Sequence, residues 1–340
     1  MPLLSARSLN AILATLVCLA PSNRLVTVQS ARLGVRNAHA LAYDAKRREV
    51  ILFGGADDRA VLSDTWTWNG RQWKRVSTGG PLPRTFAAVA TDPIQNRVFL
   101  YGGNRVLFGT GQPTDTVLGD FWSWNGMTWA SLSSVGPGSR AEAAMAFDHT
   151  RNRLVLFGGY RGTGSQRVRL GDTWEWEGTT WSQVASTGPT PRNNSAMVYD
   201  PDRRVTVLFG GSDGTASGET WEWDGRVWRR SEAPVVEARY NPVMAYDPVR
   251  KLIVRFGGWN GRERLGDTWL FDGRAWARQN VLGPSPRNHA AFAFDVERGR
   301  AVLVGGHDGS HVFGDTWEWL GDRWMSIDSV PSRARVDNGH

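Results

Sequence analysis

The sequence is poor in cysteine and in long apolar runs. It holds one cysteine in 340 residues, which excludes an intramolecular disulfide. No apolar run reaches the roughly 18 residues that a membrane-spanning helix needs, so a protein with several spans is excluded. Because 41% of the residues are hydrophobic and 21% charged, the chain has enough apolar material for a core, and wholesale disorder is excluded as well.

Tryptophan, by contrast, is abundant, with 18 residues. The segment from Trp66 to Trp73 reads W-x-W-x-G-x-x-W, and the same frame returns at 122–129, 174–181, 221–228 and 317–324. A sixth frame at 269–276 has Phe271 in place of its second tryptophan. Seventeen of the 18 tryptophans lie in these frames, and only Trp259 lies outside them. The spacing indicates an internal repeat.

Each frame has the same surroundings, which define six units of about 48 residues. Every unit opens with an arginine, at Arg36, Arg84, Arg140, Arg192, Arg239 and Arg287. A Gly-Gly pair begins 18 residues after each arginine. An acid precedes each frame, at Asp64, Asp120, Asp172, Glu219, Asp267 and Asp315. The segment between the Gly-Gly pair and the acid takes up all the differences in length, and it is longest in the second and third units.

Each unit reads as four short strands, here named A to D. Strand A follows the arginine and is small and apolar, strand B ends at Gly-Gly, and strand C carries the first two aromatic residues of the frame. Asn-Gly or Asp-Gly then makes a tight hairpin into strand D. Units of this size with four strands stack around an axis, so the sequence predicts an all-β, six-bladed β-propeller with four antiparallel strands per blade.

This pattern of Pro-Arg openings, paired glycines and aromatic frames resembles the kelch-repeat propellers of the galactose-oxidase-like class, over residues 36–327. The acid-Thr-Trp-x-Trp form is similar to that of bacterial members. The class includes copper radical oxidases, which need a tyrosine cross-linked to a cysteine. The only cysteine, Cys18, lies in an apolar N-terminal stretch, so that chemistry is excluded.

We divide the chain into a secretory signal peptide at 1–31, a propeller at 32–330 and a tail at 331–340. The signal is indicated by an apolar stretch from Ala11 to Ala20 followed by small polar residues, and it predicts a secreted or periplasmic protein. Ring closure has two readings. The segment Leu25–Val28 is removed with the signal, or it competes with or extends the strand at Trp324–Ile327.

The loops from B to C and from D to A are expected on one face of the propeller. The six opening arginines are expected near the channel mouth, where pairing with the six acids is favoured over a positive ring that binds an anion. Arginines also recur on the A–B turns of the other face, so the net charge of +7 is read as spread over solvated turns and nucleic acid is not expected as a partner. The residues that differ between blades on the loop face form the predicted ligand-binding face: Phe86, Asn104, Glu142, Tyr160, Asn194, Asn241, Trp259 and His307.

These features predict a monomeric, non-catalytic module that binds a protein or a glycan, without cofactor, metal or membrane span. His289, His307 and His311 belong to the last unit, but their spacing is not that of metal ligands. The alternative is a sugar-active enzyme such as a mutarotase-like epimerase, because some bacterial kelch propellers of this kind act on sugars. Glu142 and His289 are then the candidate acid and base.

Overall fold

The computed structural model describes residues 33–76, 79–105, 116–132 and 135–327. The predicted signal peptide, the segment Leu25–Val28 and the C-terminal tail lie outside these residues. The described chain forms six four-stranded antiparallel sheets that make a β-propeller, which confirms the predicted fold. The inner strands of neighbouring blades lie side by side around the ring, including those of the first and last blades.

The strands follow chain order within each blade. Blade 1 contains β1 (Ala40–Asp44), β2 (Glu49–Phe53), β3 (Thr65–Trp68) and β4 (Trp73–Val76). Blade 2 contains β5 (Ala88–Asp92), β6 (Arg97–Asn104), β7 (Val117–Trp124) and β8 (Trp129–Leu132). Blade 3 contains β9 (Ala144–Asp148), β10 (Arg153–Phe157), β13 (Thr173–Trp176) and β14 (Trp181–Ala185). Its B–C loop holds a small hairpin, β11 (Tyr160–Arg161) with β12 (Val168–Arg169), and a 3₁₀ turn at Gly164–Gln166.

The other three blades repeat the plan without an added hairpin. Blade 4 contains β15 (Ala196–Asp200), β16 (Val205–Phe209), β17 (Thr220–Trp223) and β18 (Trp228–Arg230). Blade 5 contains β19 (Val243–Asp247), β20 (Leu252–Phe256), β21 (Thr268–Phe271) and β22 (Trp276–Gln279). Blade 6 contains β23 (Ala291–Asp295), β24 (Arg300–Val304), β25 (Thr316–Trp319) and β26 (Trp324–Ser326).

The core lies between the blades. Six apolar clusters each join residues of two neighbouring blades, as a propeller requires for burying both faces of every sheet. The last tryptophan of a frame reaches into the preceding blade, where the indole nitrogen of Trp228 donates to Thr173 Oγ1 at 2.8 Å. In blade 2 the threonine position holds Phe121, and the indole nitrogen of Trp181 has no partner among the described residues. Eleven of the 17 frame tryptophans are buried as predicted, and the other six are half-buried: Trp73, Trp122, Trp174, Trp221, Trp269 and Trp317.

The ring closes between blades that each have their own four strands. The indole nitrogen of Trp73 in blade 1 donates to Thr316 Oγ1 in blade 6 at 2.9 Å, as the equivalent tryptophan does at four of the other five blade interfaces. The backbone amide of Arg36 donates to the carbonyl of Phe313 at 2.9 Å. Gly54 and Gly55 show what the Gly-Gly pair does: both have positive φ, and a Cβ on either would lie within 3 Å of a backbone oxygen.

Candidate functional site

The opening arginines anchor strand A to strand C inside each blade. Arg239 donates to the two carboxylate oxygens of Asp267 at 2.6 and 3.1 Å and to the carbonyl of Gly257 at 3.1 Å. Asp267 also accepts from the indole nitrogen of Trp269. All six predicted pairs are formed: Arg36–Asp64, Arg84–Asp120, Arg140–Asp172, Arg192–Glu219, Arg239–Asp267 and Arg287–Asp315. The arginines are buried, so their charge is balanced inside the blades and they do not line the channel cavity.

The residue two positions after each arginine has a left-handed backbone, with φ between 53° and 60° in every blade. Backbone bonds join these residues around the axis, for example from the Phe86 amide to the Ala38 carbonyl at 2.9 Å and from the Ala38 amide to the His289 carbonyl at 2.8 Å. This conformation costs a residue other than glycine about 1 kcal/mol or more, and the bonds around the ring offset that cost. We call the six residues the belt: Ala38, Phe86, Glu142, Asn194, Asn241 and His289.

The belt surrounds the mouth of a cavity of about 200 Å³ on the loop face. We call it the upper cavity, lined by residues 38–41, 86–89, 142–145, 194–197, 241–244 and 289–292. The sequence placed Phe86, Glu142, Asn194, Asn241 and His289 on this face, and all five line this cavity. His39, which the sequence did not single out, lines it too, and its buried ring nitrogens have no partner among the described residues. Burial and the charge of Arg36 lower the pKa of His39 to about 3.

Glu142 is the one acidic or basic side chain, histidines aside, among the residues that line the upper cavity. Its Oε2 accepts from the side-chain amides of Asn193 and of Asn194, the latter at 2.7 Å. Burial raises the pKa of the carboxyl, and these bonds together with the charges of Arg167 and Arg169 oppose the rise. A carboxyl so placed can accept hydrogen bonds or exchange a proton with a bound group.

A chain of hydrogen bonds crosses from blade 5 to blade 6. The amide nitrogen of Asn241 lies 2.9 Å from Nε2 of His289, and Nδ1 of His289 lies 2.9 Å from Nε2 of His307. With Asn241 donating, His289 carries its proton on Nδ1 and donates to His307. Burial and the neighbouring His307 lower the pKa of His289 to about 3, so the ring is neutral. The ring of Phe86 meets it edge to face at 4.9 Å.

None of the residues just after the Gly-Gly pairs lines the upper cavity. Asn104 and Tyr160 are buried, and the amide of Asn104 donates to the Tyr160 hydroxyl at 2.7 Å. The guanidinium of Arg167 covers the Tyr160 ring at 4.1 Å. Because Tyr160 is only 1% exposed, the expectation that its ring is available to a ligand is not met.

Trp259 is half-buried and does not line the upper cavity. Arg264 stacks on its ring at 4.6 Å. His311 is exposed and bonds to Asp308 at 3.3 Å, away from the His289–His307 pair. Within the described ranges no group of three or more His, Cys, Asp or Glu side chains is arranged to hold a metal ion. The same part of the chain contains no helix with the length and apolarity of a membrane span.

Comparison with known proteins supports a kelch-type propeller. The chain is 29% identical over 196 residues to an F-box/kelch-repeat protein of Arabidopsis thaliana, a match to 52% of this chain and 39% of that protein. It is 28% identical over 182 residues to Adagio-like protein 3 of Oryza sativa subsp. japonica, covering 48% and 27%. It is 23% identical over 221 residues to Mei4-dependent protein 6 of Schizosaccharomyces pombe, covering 56% and 31%. The match thus spans well under half of each relative, and no family model matches the chain.

Proposed function

We propose that this propeller is a non-catalytic binding module that presents its loop face, here called the upper face, to a protein partner. The observation that carries the proposal is the belt. All six blades hold one strained backbone conformation there, yet the side chains are aliphatic, aromatic, acidic, amide and imidazole. A rigid frame that displays different side chains at equivalent points suits recognition, and strained backbone is often kept at functional sites.

Two further observations support a protein as the partner. The relatives include one named for its kelch repeats, and propellers of that type suggest an interaction scaffold. The upper cavity, at about 200 Å³, is small for a free ligand of drug size but deep enough for a single side chain. Phe86 lines this cavity and Trp259 is half-buried on a loop of the same face, and aromatic residues are enriched at interfaces.

Capture of a partner by wild-type and variant propellers tests the proposal. The upper-face variant combines Phe86→Ala with Trp259→Ala, and the matched control combines Ile94→Ala with Val249→Ala on the opposite face, where both side chains are exposed. We expect one captured protein to be lost with the upper-face variant, with an affinity at least tenfold lower, and kept with the control. Equal retention of the partner by both variants would contradict the proposal. Binding of the propeller to a glycan array, with no protein captured, would contradict it as well.

We also propose that the chain is exported to the periplasm or medium, because residues 1–31 have the pattern of a secretory signal. We propose in addition that it is a monomer. Fractionation of the native cells and N-terminal sequencing of the recovered protein test the export. A cytoplasmic protein that still begins at Met1 would contradict it. Light scattering on the purified protein tests the monomer.

A second function, sugar-anomer exchange, is favoured by one observation. Glu142 lines the upper cavity, and burial raises the pKa of its carboxyl, which is the direction that suits a general acid or base. Exchange measured by NMR should then fall by about 10² or more in Glu142→Gln while the fold is kept. Wild-type and variant rates that both equal the uncatalysed rate would remove this candidate.

A further inference from the structure

The other half of the channel holds a second cavity, of about 390 Å³, which opens on the face of the A–B turns. We call it the lower cavity. Six side chains line both cavities and separate one from the other, and we call them the constriction: Leu41, Val89, Met145, Met197, Met244 and Phe292. Three of the six are methionines, whose flexible thioethers adapt to the shape of an apolar ligand.

The wall of the lower cavity is aromatic. The residue seven positions after each opening arginine lines it in every blade, and five of the six are aromatic: Tyr43, Phe147, Tyr199, Tyr246 and Phe294. The sixth is Thr91. The hydroxyl of Tyr199 donates to Thr150 Oγ1 at 2.7 Å and that of Tyr246 donates to Asp202, so both are tied to the turn of the preceding blade. Those bonds fasten the hydroxyls to the rim and leave ring surface to the cavity.

Charge is missing from this wall. No Asp, Glu, Lys or Arg is among the residues that line the lower cavity, and the one ionisable side chain besides the tyrosines is His149 at the turn of blade 3. The surrounding turns carry exposed apolar side chains, with Ile94, Val249 and Val296 at 54%, 64% and 56% exposed, beside charged ones such as Asp202 and Glu297. A cavity whose lining holds no Asp, Glu, Lys or Arg favours a ligand that has no charge to desolvate.

We propose that the lower cavity binds a neutral, apolar small molecule that contains an aromatic ring. Its volume and its lining are those of small-molecule sites, which are mostly hydrophobic and aromatic. The aromatic wall offers edge-to-face and stacked contacts to a ring, and the methionines of the constriction close its inner end. This site is on the opposite face from the proposed partner site and is independent of it.

Thr91 provides the means to test the site. It is the one gap in the aromatic wall, and five blades already hold an aromatic residue at that position, so Thr91→Phe should fold and fill the gap. Thr91→Val removes only the hydroxyl, which donates to the carbonyl of Tyr43 at 2.7 Å. The probe is N-phenyl-1-naphthylamine, a neutral aromatic dye that brightens in apolar surroundings. Circular dichroism and thermal unfolding check the fold of each variant.

We expect saturable binding of the dye by the wild type, at least tenfold weaker binding by Thr91→Phe, and less than a twofold change in Thr91→Val. Phe86→Ala, in the upper cavity, should bind as the wild type does. No saturable binding by the wild type would overturn the proposal. Normal dye binding by Thr91→Phe would overturn it too. So would a result in which Phe86→Ala loses dye binding and Thr91→Phe keeps it.

The methionine methyl groups give a second measurement that needs no variant. Among the described methionines, Met145, Met197 and Met244 form part of the constriction, whereas Met127 and Met325 lie on strand D or its hairpin. Benzyl alcohol added to protein labelled at the methionine methyls should shift the first three signals by its ring current and leave the other two in place. Equal shifts of all five, or none, would contradict the site. Glucose, a polar probe, should shift none.

Discussion

The upper and lower cavities are built from the same six inner strands, yet they are opposite in character. In the upper cavity the backbone repeats and the side chains differ, with one aliphatic, one aromatic, one acidic, two amide and one imidazole group in the belt. In the lower cavity the side chains nearly repeat, with five aromatic residues and one threonine. A single repeat can therefore line one cavity of a channel with varied, polar side chains and the other cavity with nearly uniform, apolar ones.

The ion pairs at the two ends of the channel also differ in their burial. At the upper rim, arginines with 0–3% exposed side chains pair with acids of the same blade. At the lower rim, the aspartate that ends each strand A caps the A–B turn and pairs with a turn arginine. Arg250, the example in blade 5, is 36% exposed and lies 2.9 Å from Asp247. The turn arginines are therefore paired and partly buried, whereas the sequence suggested solvated ones.

The largest expected effect separates these two kinds of pair. Arg239→Met leaves the carboxylate of Asp267 buried without its partner, and we expect it to lower the free energy of unfolding by about 3–5 kcal/mol. Arg250→Met removes a partner that is 36% exposed, and the buried carboxylate of Asp247 keeps the backbone amides of Val249 and Arg250 as donors, so this loss should be smaller, about 1–2 kcal/mol. Urea unfolding of both variants measures the difference. Equal losses would mean that the upper pairs do not hold the blades more strongly than the lower ones.

A smaller effect on the free energy of unfolding is expected for Arg255, which lies at the level of the constriction. Arg255 on β20 pairs in register with Met244 and occupies a position that is leucine in the other five blades: Leu52, Leu100, Leu156, Leu208 and Leu303. Its side chain is fully buried, and none of its guanidinium nitrogens has a hydrogen-bond partner among the described residues. Phe209 and Trp276 cover it at 4.1 and 4.6 Å. Burial holds the pKa of Arg255 well below its usual value.

Because burial of an unpaired cation costs several kcal/mol and the three cation–π contacts, with Phe209, Trp269 and Trp276, return only part of that cost, we expect Arg255→Leu to stabilise the protein by about 1–3 kcal/mol. Urea unfolding measures the gain. Leu208→Met, the matched change in blade 4, should stay within about 1.5 kcal/mol of the wild type. A loss of stability in Arg255→Leu would show that the aromatic cage outweighs the desolvation of the charge.

Repetition explains how much of this could be predicted from the sequence. The blades, their four strands, the Arg–acid pairs and the buried tryptophans each occur six times or nearly so, and six concordant copies specify a closed ring. The site residues for which the sequence prediction failed are of a type found in one blade only, so the other blades offer no second copy to compare. Tyr160 shares its position along the loop with Trp259, but only the direction of its side chain decides that it is buried, and spacing does not encode that direction.

Two further features lay beyond the sequence for physical reasons. The belt is left-handed at alanine, phenylalanine and glutamate, which do not favour that conformation, so the sequence does not indicate it there. Strand A was expected to be small and apolar throughout. That holds at alternate positions such as Ala88 and Ala90, whereas the intervening positions hold large side chains such as Met145 and Phe147, which line the lower cavity. The lower cavity was missed for this reason.

The smallest expected effect concerns pH and the upper cavity alone. His39 has a pKa of about 3 in the folded protein against 6.5 when unfolded, so between these values only the unfolded chain binds the proton. Its contribution to stability is therefore complete above pH 6.5 and is lost as the pH falls, by about 1.3 kcal/mol between pH 7 and 5.5. Blade 4 has Ser195 at the equivalent position, which makes His39→Ser a matched replacement.

We expect His39→Ser to lose less stability than the wild type between pH 7 and 5.5, measured as the shift of the urea midpoint. His149→Ala provides the control, because His149 is exposed beside the lower cavity and should leave the wild-type pH dependence unchanged. Dye binding in the lower cavity should also be the same at both pH values while the protein stays folded, since no Asp or Glu is among its lining residues. If His149→Ala flattened the pH dependence instead, the acid-sensitive half of the channel would be the lower one, and the contrast between the two cavities would have to be reversed.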